Sequence, residues 1–149
     1  MFTIAHELGH AALHILVPGF EQDSGGTERL CDLFAVELIM PFKLVRDIWR
    51  HAPGVDAIVG LAERTKGSLT ASCIRVAECV GNITTGLASP DGAIEKQYGA
   101  NLGRDIEIAV ESASRKVHLG RPARGLYNGL DVSIHSTKSL VVFLARRLR

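Results

Sequence analysis

The sequence predicts an α+β fold: a mostly helical first part of about 80 residues, then a small mixed extension. Three observations carry that expectation. Helix-period apolar residues and helix stop signals recur as far as Gly81. Beyond it the pattern changes to short β-prone pieces interspersed with Gly and Pro. A chain of 149 residues is also long enough to bury a core without disulfide staples, either as one domain or as one domain with an appendage. We accordingly expect two regions, 1–81 and 82–149.

The first element is a helix over residues 3–17, with Thr3 as N-cap and Ile4, Leu8, Ala12 and Ile15 as its inward stripe; Pro18-Gly19 stops it. A loop of turn formers follows (Asp23, Ser24, Gly25, Gly26). A second helix runs over about residues 27–40, with Leu30, Phe34 and Leu38 inward and Cys31 a further candidate, and ends at Pro41. Shorter helices span 42–51, 55–66 and 69–80, separated by Pro53-Gly54 and Gly67-Ser68. After Gly81 the β-prone pieces are 82–87, 130–134 and 140–143, and the stretch 105–117 is ambiguous.

Composition bounds the function. Hydrophobic residues make up 46% and charged residues 22%, and mean hydropathy is +0.15, which excludes global disorder. Aromatics at 5% predict a core of Leu, Ile, Val and Ala. No apolar run approaches the roughly 18 residues of a membrane span. The first residues carry an acid and two His where a secretory signal would be basic and then apolar. Three cysteines (Cys31, Cys73, Cys79) lack metal-type spacing and suit free thiols in a reducing compartment, so the expected location is the cytoplasm.

The chemistry is carried by His6-Glu7-Leu8-Gly9-His10. On a helix, positions i and i+4 lie one turn apart on one face, so both imidazoles reach a single ion. Zinc suits the pair, because it takes imidazole nitrogen in a tetrahedral site and keeps one position open. Glu7 lies beside the pair and can take a proton from water and later hand it to a leaving amine. Chance supplies such a string about 0.01 times in a chain of this composition, and a polar helix face is the bland alternative.

A catalytic zinc wants a third protein ligand. A third His six residues after His10 is excluded, because that position is Leu16, and His14 has the wrong spacing. Glu28 stands 18 positions after His10 on the next helix, and Asp32 follows one turn later on the same face. A ligating His needs an acceptor for its other N–H, and Asp32 can supply it. The expected set is His6, His10 and Glu28 on Zn2+, Glu7 as general base, and Asp32 orienting a ligand. Cys31 reads as a buried thiol rather than a ligand. For the oxyanion donor that a peptidase needs, Tyr98, Tyr127, His118, His135 and Arg75 are all chemically able, and none is ranked.

FTIAHELGHAALH followed by ERLCDLFAVELIMP resembles the ImmA/IrrE family of metallopeptidases, which pairs an HELGH helix with a second helix ending in an FAxxLLMP-like stretch. The likeness is specific over residues 2–41, extends more weakly through SLTASCIRVAE with Arg75, and is thin after Gly81. It implies a gluzincin-like zinc endopeptidase that cleaves helix-turn-helix repressors and so lifts repression. His6, His10 and Glu28 become the ligands and Glu7 the base. The family commonly has Asn where this chain has Asp32, which keeps an acceptor and adds charge. It also carries sheet ahead of the HELGH helix, whereas Met1 stands five residues before His6. The resemblance therefore implies either further residues upstream or a shortened member.

Two other classes stand beside this one. A catalytically impaired zinc-binding interaction or regulatory module would keep the ligands and lack cleavage. A DNA-binding module would use 57–66 and 69–80 as a helix-turn-helix presenting Thr70, Ser72 and Arg75, of which Arg75 alone is basic. The net charge of +1 conceals an asymmetry. Residues 115–149 hold eight Lys and Arg against Asp131 alone. A basic end can meet nucleic acid or an acidic partner, or dock on the chain's own acids. With no interleaved aromatics, nucleic acid is the weaker expectation.

Overall fold

The computed structural model describes residues 2–17, 25–116 and 122–148. They divide into two compact units, Met1–Leu44 and Val45–Arg149. The architecture is α+β, with six helices and one five-stranded antiparallel sheet.

The first unit is built on α1 (Phe2–Leu16) and α2 (Gly25–Ile39). Thr3 lies inside the first turn of α1 rather than capping it. The buried positions are small: Ala5 and Gly9 on α1, Thr27, Cys31 and Ala35 on α2. This corrects the expected inward stripes. Ile4 is 69% exposed and Leu8, Ile15, Leu30, Phe34 and Leu38 are also exposed, whereas Cys31 is fully buried. The reason is steric. A Cβ on Gly9 would sit 3.1 Å from the Cys31 Cα, so the two backbones approach more closely than large side chains allow. The turn formers at 18–24 lie outside the described residues; Gly25 and Gly26 have joined α2.

The division falls in the first turn of α3 (Phe42–His51). Next come α4 (Val55–Thr65) and α5 (Leu69–Val80), within one residue of their expected bounds. Ser68 caps α5 by accepting the Ala71 N–H at 3.1 Å. The first N–H of α4 is satisfied from a distant strand, because Val55 N–H donates to Ser133 Oγ at 3.0 Å.

The strands are β1 (Thr84–Ala88), β2 (Ile94–Gly99), β3 (Pro122–Tyr127), β4 (Leu130–Ser136) and β5 (Val141–Arg147), in the order β2-β1-β5-β4-β3. The ambiguous stretch is the helix α6 (Asp105–Ser114). α6 covers one sheet face, where Leu130, Val132, Ile134, Val141, Phe143 and Ala145 form the core with Ile106, Ala109 and Val110. α4 and α5 pack on the opposite face. There Thr85 Oγ1 donates to the Cys73 carbonyl at 2.8 Å, and burial pushes the Cys73 thiol up to about 12. β2 and β3 carry charge, Gly or Pro and escape a reading based on apolar alternation. The β3–β4 turn does have a local signal: Asn128 and Gly129 both take positive φ, as a two-residue type I′ hairpin demands.

Four arginines of the basic segment pair with the chain's own acids. Asp131 receives Arg124 Nε at 2.7 Å and Nη2 at 2.6 Å, and Arg146 Nε at 2.9 Å. Arg147 pairs with Asp105 at 3.4 Å, and Arg115 pairs with Glu111.

Two outcomes follow from this packing. Gly9→Val places branched carbon against the Cys31 backbone. It should cost about 1–3 kcal/mol, read as a lower urea midpoint for the helical signal of the full chain; an unchanged midpoint would contradict the close seam. The Arg124 hydrogen bond, opposed by burial and helped by Arg146, holds the Asp131 carboxyl below its ordinary value. Its stabilisation is complete above the ordinary 3.8 and is lost as pH falls through the lower folded value. Asp131→Asn should therefore melt lower than wild type at neutral pH, by about 1–2 kcal/mol. The gap should close in acid, as followed by thermal melts across pH.

Candidate metal centre

The α1–α2 seam positions the polar residues beside it. His6 and His10 flank Gly9 on the turns of α1, and Glu28 and Asp32 flank Cys31 on α2. The short distance between the helices at Gly9 and Cys31 brings these four side chains together. His6 Nε2 lies 3.1 Å from His10 Nε2 and 3.2 Å from Glu28 Oε2, and His10 Nε2 lies 3.3 Å from Glu28 Oε1. Ligand atoms about 2.0–2.1 Å from a tetrahedral zinc sit roughly 3.3 Å from one another. The three separations match that edge length, so the donor set fits a metal ion. Among the described residues, His6, His10 and Glu28 are the group whose ligand atoms converge in this way.

The remaining nitrogen of His6 is also engaged. His6 Nδ1 lies 2.9 Å from Asp32 Oδ1. With Nδ1–H donated to that carboxylate, a neutral His6 ring presents Nε2 as a bare nitrogen toward His10 and Glu28. The His6 and His10 side chains are mostly buried, whereas Glu28 is 56% exposed and the centre opens to solvent on its carboxylate side. Glu7 is exposed and sits one turn before His10 without joining the converging set. His14, one turn further on, is exposed and stands outside it too. Burial, then the negative charges of Glu28, Asp32 and Glu7, push the Cys31 thiol up and favour its neutral form.

A profile of the IrrE N-terminal-like domain, peptidase M78, matches residues 1–77, just over half the chain. The chain belongs to the ImmA/IrrE family. As a member of a metallopeptidase family, this ImmA/IrrE chain is expected to use a metal, and the His6–His10–Glu28 set offers it a place. No curated protein matches the ImmA/IrrE chain in sequence. Among solved structures it is similar to a Mycobacterium tuberculosis transcriptional regulator, with a TM-score of 0.57 and 16% identity, over 98% of this chain and 55% of that one. That likeness concerns the fold, and the chain spans about half the length of the regulator.

Of the proposed oxyanion donors, His118 lies outside the described residues. The other four belong to the second unit. There Tyr127 packs on the α6 core with Lys116 Nζ 5.3 Å from its ring centre, and Arg75 pairs with Glu78 at 3.5 Å. Of the three residues a helix-turn-helix would present, Ser72 is fully buried, and α5 packs on β1 and β2, while Thr70 and Arg75 are half-buried. Sequence reasoning missed the clustering of Arg124 and Arg146 around Asp131. The available signal was Asp131 itself, a lone acid in a basic segment whose strand pairing sets it directly opposite Arg146.

Proposed function

We propose that the chain is a zinc-dependent endopeptidase acting on a regulatory protein such as a helix-turn-helix repressor. The observation that carries this reading is the trio of separations between His6, His10 and Glu28, each within the edge length of a tetrahedral site. The peptidase family supports hydrolysis of a protein. The name of the M. tuberculosis neighbour supports a link to transcriptional control.

His6 and His10 Nε2 and a Glu28 oxygen hold the ion, and Asp32 keeps the His6 ring turned toward it through Nδ1. When bound, zinc supplies Lewis acidity, polarising a carbonyl and making water more acidic. Glu7 accepts the proton of the attacking water and returns it to the departing amine. Its side chain is exposed and stands next to His6 in the chain. The reading places this work in the cytoplasm. No helix among the described residues is long and apolar enough to cross a membrane.

A second reading, a zinc-binding interaction module without turnover, is favoured by one feature. Glu28 is more than half exposed, and hydrolysis in a closed site profits from excluding water. The two readings share the ion and part at Glu7.

Purified, metal-replete chain should hold about one zinc, and His6→Ala, His10→Ala and Glu28→Ala should each lose most of it. Asp32→Ala should weaken zinc binding by about 10–100-fold. Elemental analysis with a competing chelator measures all four, and a folded, zinc-free wild type would overturn the reading. Glu7→Gln should retain zinc while cleavage of a candidate repressor, followed by gel, falls about 100-fold or more. Zinc binding with no cleavage in wild type would decide for the module.

A further inference from the structure

The second unit contains a cavity of about 150 Å³ on the sheet face opposite α6. Trp49, Arg124, Asp131, Ser133, Leu144 and Arg146 contribute to its lining. A cavity of that volume admits a small molecule. The chemistry of the wall is specific. Asp131 is buried and accepts from both arginines, which fixes the two guanidinium planes in place. Arg124 spends Nε and Nη2 on that carboxylate, and Arg146 spends Nε. A guanidinium has five N–H donors, so Nη1 of Arg124 and both terminal nitrogens of Arg146 keep donors for another acceptor. Two cations against one anion leave the wall net positive. Ser133 Oγ already accepts from Val55 N–H, so its own proton is a further donor. Trp49 and Leu144 add apolar surface, and a planar group can lie on the indole.

We propose that this cavity is a binding site for a small oxyanion, a carboxylate or a phosphate, held by Arg124 and Arg146 and packed against Trp49. Asp131 acts here as a positioning residue: it orders both guanidinium groups in advance, so that the ligand does not bear the cost of ordering them. The site is independent of the metal centre, and its test does not involve zinc or cleavage.

Trp49 is the sole tryptophan of the chain, so its fluorescence reports on this cavity alone. The full chain is titrated with inorganic phosphate and, separately, with benzoate, each against sodium chloride at matched ionic strength. We expect a saturable change with at least one oxyanion at a Kd of about 1 mM or tighter, and none with chloride. Saturation by phosphate alone identifies a phosphate-type ligand, and saturation by benzoate alone identifies a carboxylate with a planar body. Arg146→Gln should weaken binding at least about tenfold, with Arg146→Lys between it and wild type. The proposal is overturned if neither anion saturates, if chloride gives the same change, or if Arg146→Gln binds as wild type. Should a variant fail to fold, the Trp49 indole N–H resonance of the wild type decides. It must shift with the anion and not with chloride.

Discussion

The candidate centre depends on the close approach of α1 and α2 at Gly9 and Cys31. A side chain on residue 9 would meet the Cys31 backbone at ordinary contact limits or closer, so the absence of one sets the helix separation. The cluster of His6, His10, Glu28 and Asp32 follows from that separation. His6 and His10 stand one helical turn apart, and Glu28 and Asp32 do the same on the partner helix. Two such pairs across a narrow seam converge on a point. Across a seam lined by Leu or Phe they would stand several ångströms further apart. The large apolar side chains are accordingly displaced to the outer flanks, which is why Ile4, Leu8, Leu30 and Phe34 are exposed.

The second unit is organised by a different constraint. Its sheet is covered by α6 on one face and by α4 and α5 on the other. The inner strands β1, β4 and β5 are therefore buried almost throughout, on both faces. Two of the polar groups on β4 are put to use there: Asp131 accepts from two arginines, and Ser133 satisfies the start of α4. A buried carboxylate in this setting requires partners, and Arg124 and Arg146 meet that need from the two neighbouring strands.

Much of this was legible in the residues themselves. The helices α3, α4 and α5 announce themselves through period, caps and Pro-Gly or Gly-Ser breaks, and the metal-type spacing of His6, His10 and Glu28 can be read without coordinates. The inward faces of α1 and α2 could not be read in the same way. Hydrophobic periodicity assigns the largest side chains to the interior, whereas a close helix seam selects the smallest. Strands β2 and β3 escaped for a related reason. β2 is an exposed edge with Glu95, Lys96 and Gln97, and β3 carries Pro122 and Gly125, so neither alternates cleanly. The cavity at Asp131 was hidden because it is a product of strand register, which brings Arg124, Asp131 and Arg146 together from three strands.

The most direct test of the account is X-ray absorption at the zinc edge of the metal-loaded chain, which reads the ligand atoms without reference to activity. The seam geometry predicts two imidazole nitrogens and a carboxylate oxygen at about 2.0–2.2 Å, with no sulfur. A sulfur shell near 2.3 Å would mean that Cys31 has left the seam to bind the ion, and a spectrum without imidazole scattering would mean that His6 and His10 do not hold it. Either result would contradict the centre as built here from Gly9 outward.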